Sequence, residues 1–193
     1  MQLIQMFCFN FKNIIMKNLE KTALSNPPLN DSDAVRINDF FNQIQDAILI
    51  GFGDRSLSES EVIQSAIDAN ANVFDTGRND IDYAKVKVSK GDLHMAANAR
   101  MRYISLVRLT ISWKNSIVGK AKDTDIAHLV YYNVSKNTVT IENSAARRID
   151  GIIDFKVAKG TMGDDVHCWL FFVSEDGKLR SESSYLMSRR SVY

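Results

Sequence analysis

Three histidines (His94, His128, His167), two cysteines (Cys8, Cys168) and the turn carboxylates Asp164, Asp165 and Asp176 are the side chains whose types could carry metal or nucleophilic chemistry. A metal site needs several such groups at ligand spacing on one element, and no histidine here has that company. His167 and Cys168 are adjacent, and in a strand adjacent side chains point to opposite faces, which separates a thiol from its base. Asp164-Asp165 with Asp176 could suggest calcium, which takes clustered oxygen ligands, but paired acids in turns are usually solvated. Gly51-Phe52-Gly53 lacks the third glycine and the preceding strand of a phosphate-binding loop. Arg147-Arg148 and Arg189-Arg190 are short basic spots without interleaved aromatics and read as solvated. The cysteines lie far apart in the chain, so no disulfide framework is expected, and Cys168 reads as a small core residue. No nucleophile stands with a base. These residues predict no metal, no cofactor and no enzyme.

A different chemistry is offered by large aromatic side chains on both faces of two apolar segments. Tyr131 and Tyr132 lie in one, and Trp169, Phe171 and Phe172 in the other. One face of each segment must form a core, and the other must be covered by helices, a protein partner or a ligand such as a carbohydrate. Taking Val130, Tyr132, Cys168, Leu170 and Phe172 as core-facing, alternation puts Leu129, Tyr131, Trp169 and Phe171 on the opposite face. The nearest complementary surface is the helical stripe containing Phe40 and Phe41. Leu129, Tyr131, Trp169, Phe171, Phe40 and Phe41 are therefore the candidate interaction surface.

The elements that position these residues read as follows. Val107, Leu109, Ile111 and Trp113 alternate with Arg108, Thr110 and Ser112, which predicts a half-buried strand. Further strands are expected at 128–134, at 138–141 after a Ser135-Lys136-Asn137 turn, over Ile149 to Val157, at 166–173 as a central strand, and over Leu179 to Met187 after an Asp176-Gly177 turn. With 81–88 placed in front, about seven short strands predict an antiparallel sandwich; an up-and-down barrel is the alternative. Before residue 80 the period is helical. Ile37, Phe40, Phe41, Ile44, Ala47 and Ile48 form one stripe, capped by Ser32 or Asp33 and stopped at Gly51-Phe52-Gly53. Ser58-Glu59-Ser60-Glu61 is a capping box ahead of a weaker stripe, Val62, Ile63, Ala66, Ile67 and Val73. The expected class is α+β, with N-terminal amphipathic helices followed by an antiparallel sandwich. Its parts are 1–30 (extension and linker, with a breaker at 26–30), 31–80 (helical), 81–187 (sandwich) and 188–193 (tail).

The 193 residues, 45% hydrophobic and 24% charged, suit a globular chain. A formal net charge of +1 gives no reason to expect nucleic acid or an acidic substrate. No apolar run approaches the ~18–20 residues that span a bilayer. Residues 1–15 are apolar and aromatic but lack the early positive charge and cleavage site of a secretory signal. Met16-Lys17-Asn18-Leu19-Glu20-Lys21 reads as an ordinary protein start, so residues 1–15 are expected to be dispensable.

The segment 82–93 with Ala97-Asn98-Ala99, then Thr110-Ile111-Ser112-Trp113, Gly119 to Asp125, Gly163 to Trp169 and Ser174 to Lys178, resembles a family of uncharacterised bacterial proteins. It is a domain-of-unknown-function family common in Bacteroidota, and the likeness covers about residues 35–187. That resemblance implies no activity. Its members usually begin with a glycine-rich basic segment, which residues 1–30 do not match. A tryptophan ending one strand, a tyrosine-rich next strand and an aromatic strand turning through Asp-Gly are also similar to a fibronectin type III sandwich, or Ig-like fold, which implies a fold and not a function.

Together these readings predict a structural or protein-interaction module, within a larger bacterial or phage-derived assembly, that binds a protein partner or itself. A carbohydrate-binding module is the alternative. Neither nucleic acid nor a membrane span is expected, and a cytoplasmic or phage-particle-associated location is favoured.

Overall fold

Phe40, Phe41, Ile44, Ala47 and Ile48 are all buried, as their helical spacing requires. The computed structural model describes residues 39–53, 56–70, 73–75, 80–161 and 163–187. Residues 1–15 with Cys8, the breaker at 26–30, the caps Ser32 and Asp33, Ile37, Arg189-Arg190 and the tail from 188 lie outside them. A helical stretch over 39–43 runs through a turn at Ile44 into α1 (Gln45–Phe52). The capping box starts α2 (Glu59–Ala69) as expected: the Ser58 N–H donates to Glu61 Oε2 at 2.8 Å. Helix α1 stops after Phe52, where Gly53 turns to extended backbone, and its last turn lies close against the chain beyond. A Cβ on Gly51 would lie 2.1 Å from the Val88 carbonyl oxygen.

A two-residue ribbon, β1 (Phe74–Asp75) with β2 (Asp80–Ile81), precedes seven strands in two antiparallel sheets. The first sheet is β3 (Ala97–Ser105), β4 (Arg108–Lys114) and β7 (Ile152–Lys156), in spatial order β3-β4-β7. The second contains β5 (Ile126–Asn133), β6 (Thr138–Arg147), β8 (Val166–Val173) and β9 (Ser184–Met187), in order β6-β5-β8-β9. The sheets are separate, so the barrel alternative falls. The architecture is α+β with a fibronectin type III-like sandwich.

Two cores result. Leu109, Ile111, Trp113, Ile153 and Phe155 pack between the sheets against Leu129, Tyr131, Leu170 and Phe172. The outer face of the four-stranded sheet packs against the helices. The molecule is therefore three layers deep, with helices, four-stranded sheet and three-stranded sheet in that order.

The structure corrects several expectations. The segment 81–88 is not a strand beyond Ile81; it turns at 83–85. Its backbone finds side chains instead of a ladder: Asn70, capping α2, donates through Nδ2 to the Lys87 carbonyl and accepts from the Lys87 N–H at 2.7 Å. The first strand of the sandwich is Ala97–Ser105. Val107 sits in the β3–β4 turn and Ile149 in a 3-10 turn, both exposed. Arg148, read as solvated with Arg147, is 1% exposed.

Candidate functional site

All six candidate surface residues are buried, and the two sheet faces divide them. In the β5–β8 ladder Leu129 opposes Leu170, Val130 opposes Trp169 and Tyr131 opposes Cys168. Directly opposed residues share a face. Val130 and Tyr132 therefore join Trp169 and Phe171 on the helix side, while Leu129 and Tyr131 join Cys168 and Leu170 between the sheets. The parity expected for β5 is thus inverted relative to β8. Phe40 closes over this helix-side group, its ring 4.9 Å from Tyr132 and 5.9 Å from Trp169. Phe41 meets Phe40 edge-on at 5.2 Å. The aromatic face is thus occupied within the chain.

At the margin of that face Tyr83 stacks on His167 with centroids 4.1 Å apart. His167 Nδ1 lies 2.6 Å from the Tyr185 hydroxyl. Burial pushes the Tyr185 phenol up to about 12, with the Asp165 carboxylate adding to the effect. The pair joins β8 to β9.

The other chemistry-bearing residues disperse. Cys168 is fully buried in the sandwich core, and burial pushes its thiol well up, which removes the thiolate a nucleophile needs. His167 lies on the opposite face of β8. His128 stacks on Phe171 at 5.2 Å, and desolvation lowers its pKa. Asp164 is bound by Asn133 Nδ2 at 2.6 Å and Lys136 Nζ at 3.0 Å, while Asp176 accepts from Ser174 and Lys178 in the β8–β9 turn. These two lie at opposite ends of β8 and cannot share an ion. Among the described residues no group of three or more His, Cys, Asp or Glu could hold a metal.

Arg148 forms a buried seam. Its Nε donates to Asp125 Oδ2 at 3.0 Å, with both side chains 1% exposed. A terminal nitrogen donates to the His94 carbonyl at 2.8 Å, and the guanidinium lies 3.8 Å over the Phe172 ring. The Arg148 carbonyl accepts from Trp113 Nε1 at 2.8 Å. One residue thereby ties β4, β8 and the approaches to β3 and β5. It is a structural tie, with no substrate access.

The outer face of the three-stranded sheet presents Arg100 and Arg102 from β3, Arg108 and Lys114 from β4, and Lys156 from β7, all exposed. Asp154 is the one carboxylate of those strands on that face, held by Arg108 at 2.6 Å. Five cations against one carboxylate leave a net of four positive charges. At the β3–β4 turn the face ends in exposed Ile104, Leu106 and Val107. No single motif announces this face; its signal is scattered over three strands, as Arg100 and Arg102 two residues apart on β3, Arg108 and Lys114 at the ends of β4, and Lys156 on β7.

Comparison with known proteins adds the following. Residues 31–187 match a family described as of unknown function, DUF6266. No curated protein matches the sequence. A fibronectin type III domain of human collagen alpha-1(XX), known from solution structures, is similar over 50% of this chain and 83% of its own, at 11% identity and a TM-score of 0.36. The fibronectin type III-like character of the sandwich lies in the strand orders β3-β4-β7 and β6-β5-β8-β9. Among the described residues no helix is long and apolar enough to cross a membrane.

Proposed function

The chain belongs to DUF6266, a family of unknown function, and from that starting point we propose that it is a non-enzymatic interaction module. Its working surface is the outer face of the three-stranded sheet, and its partner is an acidic protein surface within a larger assembly. The observation that carries this reading is an asymmetry. One outer face of the sandwich is closed by the chain's own helices, and the other is exposed and strongly basic. Surfaces of one sign raise the local concentration of partners of the other.

The occupant favoured by the chemistry is protein. The face carries no aromatic side chain on which a base or sugar ring could stack, and its hairpin tip offers aliphatic contacts suited to a protein. Sugar binding would need exposed coplanar aromatics. Every exposed large hydrophobic among the described residues is aliphatic, so no observation favours the carbohydrate reading. The buried set Phe40, Phe41, Trp169 and Phe171 acts in this proposal as the joint that holds the helical layer in place.

The test is fluorescence anisotropy of a labelled peptide of alternating Glu and Ser, titrated with the full chain in low salt. Binding should be lost in Arg100→Glu/Arg102→Glu and in ~0.5 M salt, where the screening length falls to a few ångströms, with the melting temperature of the variant unchanged. Equal binding by the variant and the parent, or none by either, refutes the sheet face as the working surface.

A further inference from the structure

The helical layer on the far side of the molecule has the opposite sign. Between residues 39 and 69 the chain holds six carboxylates and a single cation, Arg55. Asp39, Asp46, Glu59, Glu61 and Asp68 are exposed. Asp46 belongs to α1, and Glu59, Glu61 and Asp68 to α2. The buried sides of both helices face the four-stranded sheet, so these carboxylates point away from the sandwich. With 24 cations and 23 carboxylates in the whole chain, the separation is one of placement, not of total charge. Opposite outer faces of one three-layer molecule are thus acidic and basic.

Resting on the basic sheet face as the binding surface, we propose that its partner is a second copy of this chain. The acidic helical layer of one copy docks on the β3-β4-β7 face of the next. The two patches differ, so the contact is heterologous and each copy keeps one free patch of each sign. Such contacts build rings or open filaments rather than closed two-fold dimers. A net charge of only +1 removes the global repulsion that would otherwise keep copies apart.

The dimensions set the strength. Three strands at about 4.8 Å spacing and about 3.4 Å per residue along β4 give a face of roughly 300 Å². Stable complexes bury about 800 Å² per partner. The contact is therefore weak, reversible and dominated by charge, and it appears at high protein concentration and low ionic strength.

The experiment is sedimentation velocity of the full chain across protein concentrations, in ~20 mM and ~0.5 M salt, with two charge-reversed variants. Arg100→Glu/Arg102→Glu removes the basic patch. Asp46→Lys/Asp68→Lys removes the acidic one, leaving the capping box at Ser58 and Glu61 intact. The parent should form species beyond dimer in low salt and revert to monomer in high salt. Each variant alone should stay monomeric with an unchanged melting temperature. Mixed, the two should form a 1:1 complex and nothing larger, because each retains the patch the other lacks. Association that persists in either variant, or variants that fail to pair, overturns the head-to-tail contact. A monomeric parent in low salt overturns it too; if that parent still binds the acidic peptide through Arg100 and Arg102, the sheet-face reading survives, and if it does not, both fall.

Discussion

Replacing Arg148 by Met is the sharpest test of the buried seam. The change removes the Nε donor to Asp125 and the terminal donor to the His94 carbonyl. It leaves the Asp125 carboxylate fully buried, with Oδ2 holding only the Lys122 N–H at 3.0 Å and Oδ1 without a hydrogen-bond partner among the described residues. Removing one member of a buried ion pair typically costs about 3–5 kcal/mol, because the survivor keeps its desolvation penalty and loses its compensation. The methionine still fills the space over Phe172, so little of the loss should come from a cavity. For a chain of this size 1 kcal/mol moves the melting temperature by about 2–4 °C, so the midpoint should fall by about 6–20 °C. The discriminating measurement is the double variant Asp125→Asn/Arg148→Met, followed by urea denaturation beside the single. A neutral pair no longer strands a charge, and exchanging a buried ion pair for less polar groups is often close to neutral. The double variant should regain most of the loss. A single variant within about 1 kcal/mol of the parent, or a double variant as unstable as the single, would refute the assignment of the cost to a stranded carboxylate.

Three further outcomes are expected. Phe40→Ser/Phe41→Ser, in a Trp113→Phe background, should shift Trp169 emission to the red and raise the solution mass, because the helical stripe is what closes the Trp169 and Phe171 face; unchanged emission and mass would count against the cover. Gly51→Ala should destabilise by more than the ~1 kcal/mol that alanine gains over glycine in a helix, since its Cβ meets the Val88 carbonyl at 2.1 Å; a gain in melting temperature would show that the segment near Val88 yields freely. His128 is held below its ordinary value by burial, so the unfolded chain binds its proton first as pH falls. Stability from this group is complete above about 6.5, declines as pH drops below that value, and stops declining once the folded state also protonates; His128→Gln should flatten this part of the pH–stability curve, measured by denaturation between pH 7.5 and 5.

The class of fold was legible because Leu109, Ile111 and Trp113 alternate with polar neighbours and Ser58 and Glu61 announce a helix start. Face assignment on β5 was not, because Leu129 to Tyr132 is apolar at every position and alternation cannot say which parity faces which core. Only the ladder to β8, where Val130 meets Trp169, decides it. Strand β3 was missed for a related reason. Two of its inward residues, Ala99 and Met101, are small or unbranched, and its register breaks near both ends. The segment 81–88 alternates well enough to mimic a strand, yet its backbone turns at 83–85 and the Lys87 N–H and carbonyl are taken by Asn70. Arg148 could not be told from Arg147 in sequence, since burial depends on Asp125, 23 residues earlier. The basic face was hidden by a net charge near zero, and it emerges only when three strands bring Arg100, Arg102, Arg108 and Lys156 onto one face.

The order of the layers along the chain has a consequence for synthesis. The helices come first from the ribosome, but the strand they pack against at Trp169 and Phe171 comes near the end. Roughly 130 residues separate Phe40 from Trp169, and at about 5–20 residues per second the helical stripe waits about 6–26 s without its cover. During that interval Phe40, Phe41, Ile44 and Ile48 can meet only each other, α2, the segment around Tyr83 and, later, Val130 and Tyr132 of β5, and neither helix can complete its burial. Slowing translation within β7 or β8 would lengthen the exposure, whereas a pause before Phe40 would not. The yield of folded protein should therefore depend on where along the message the ribosome hesitates, and on whatever shields nascent apolar surface in the producing cell.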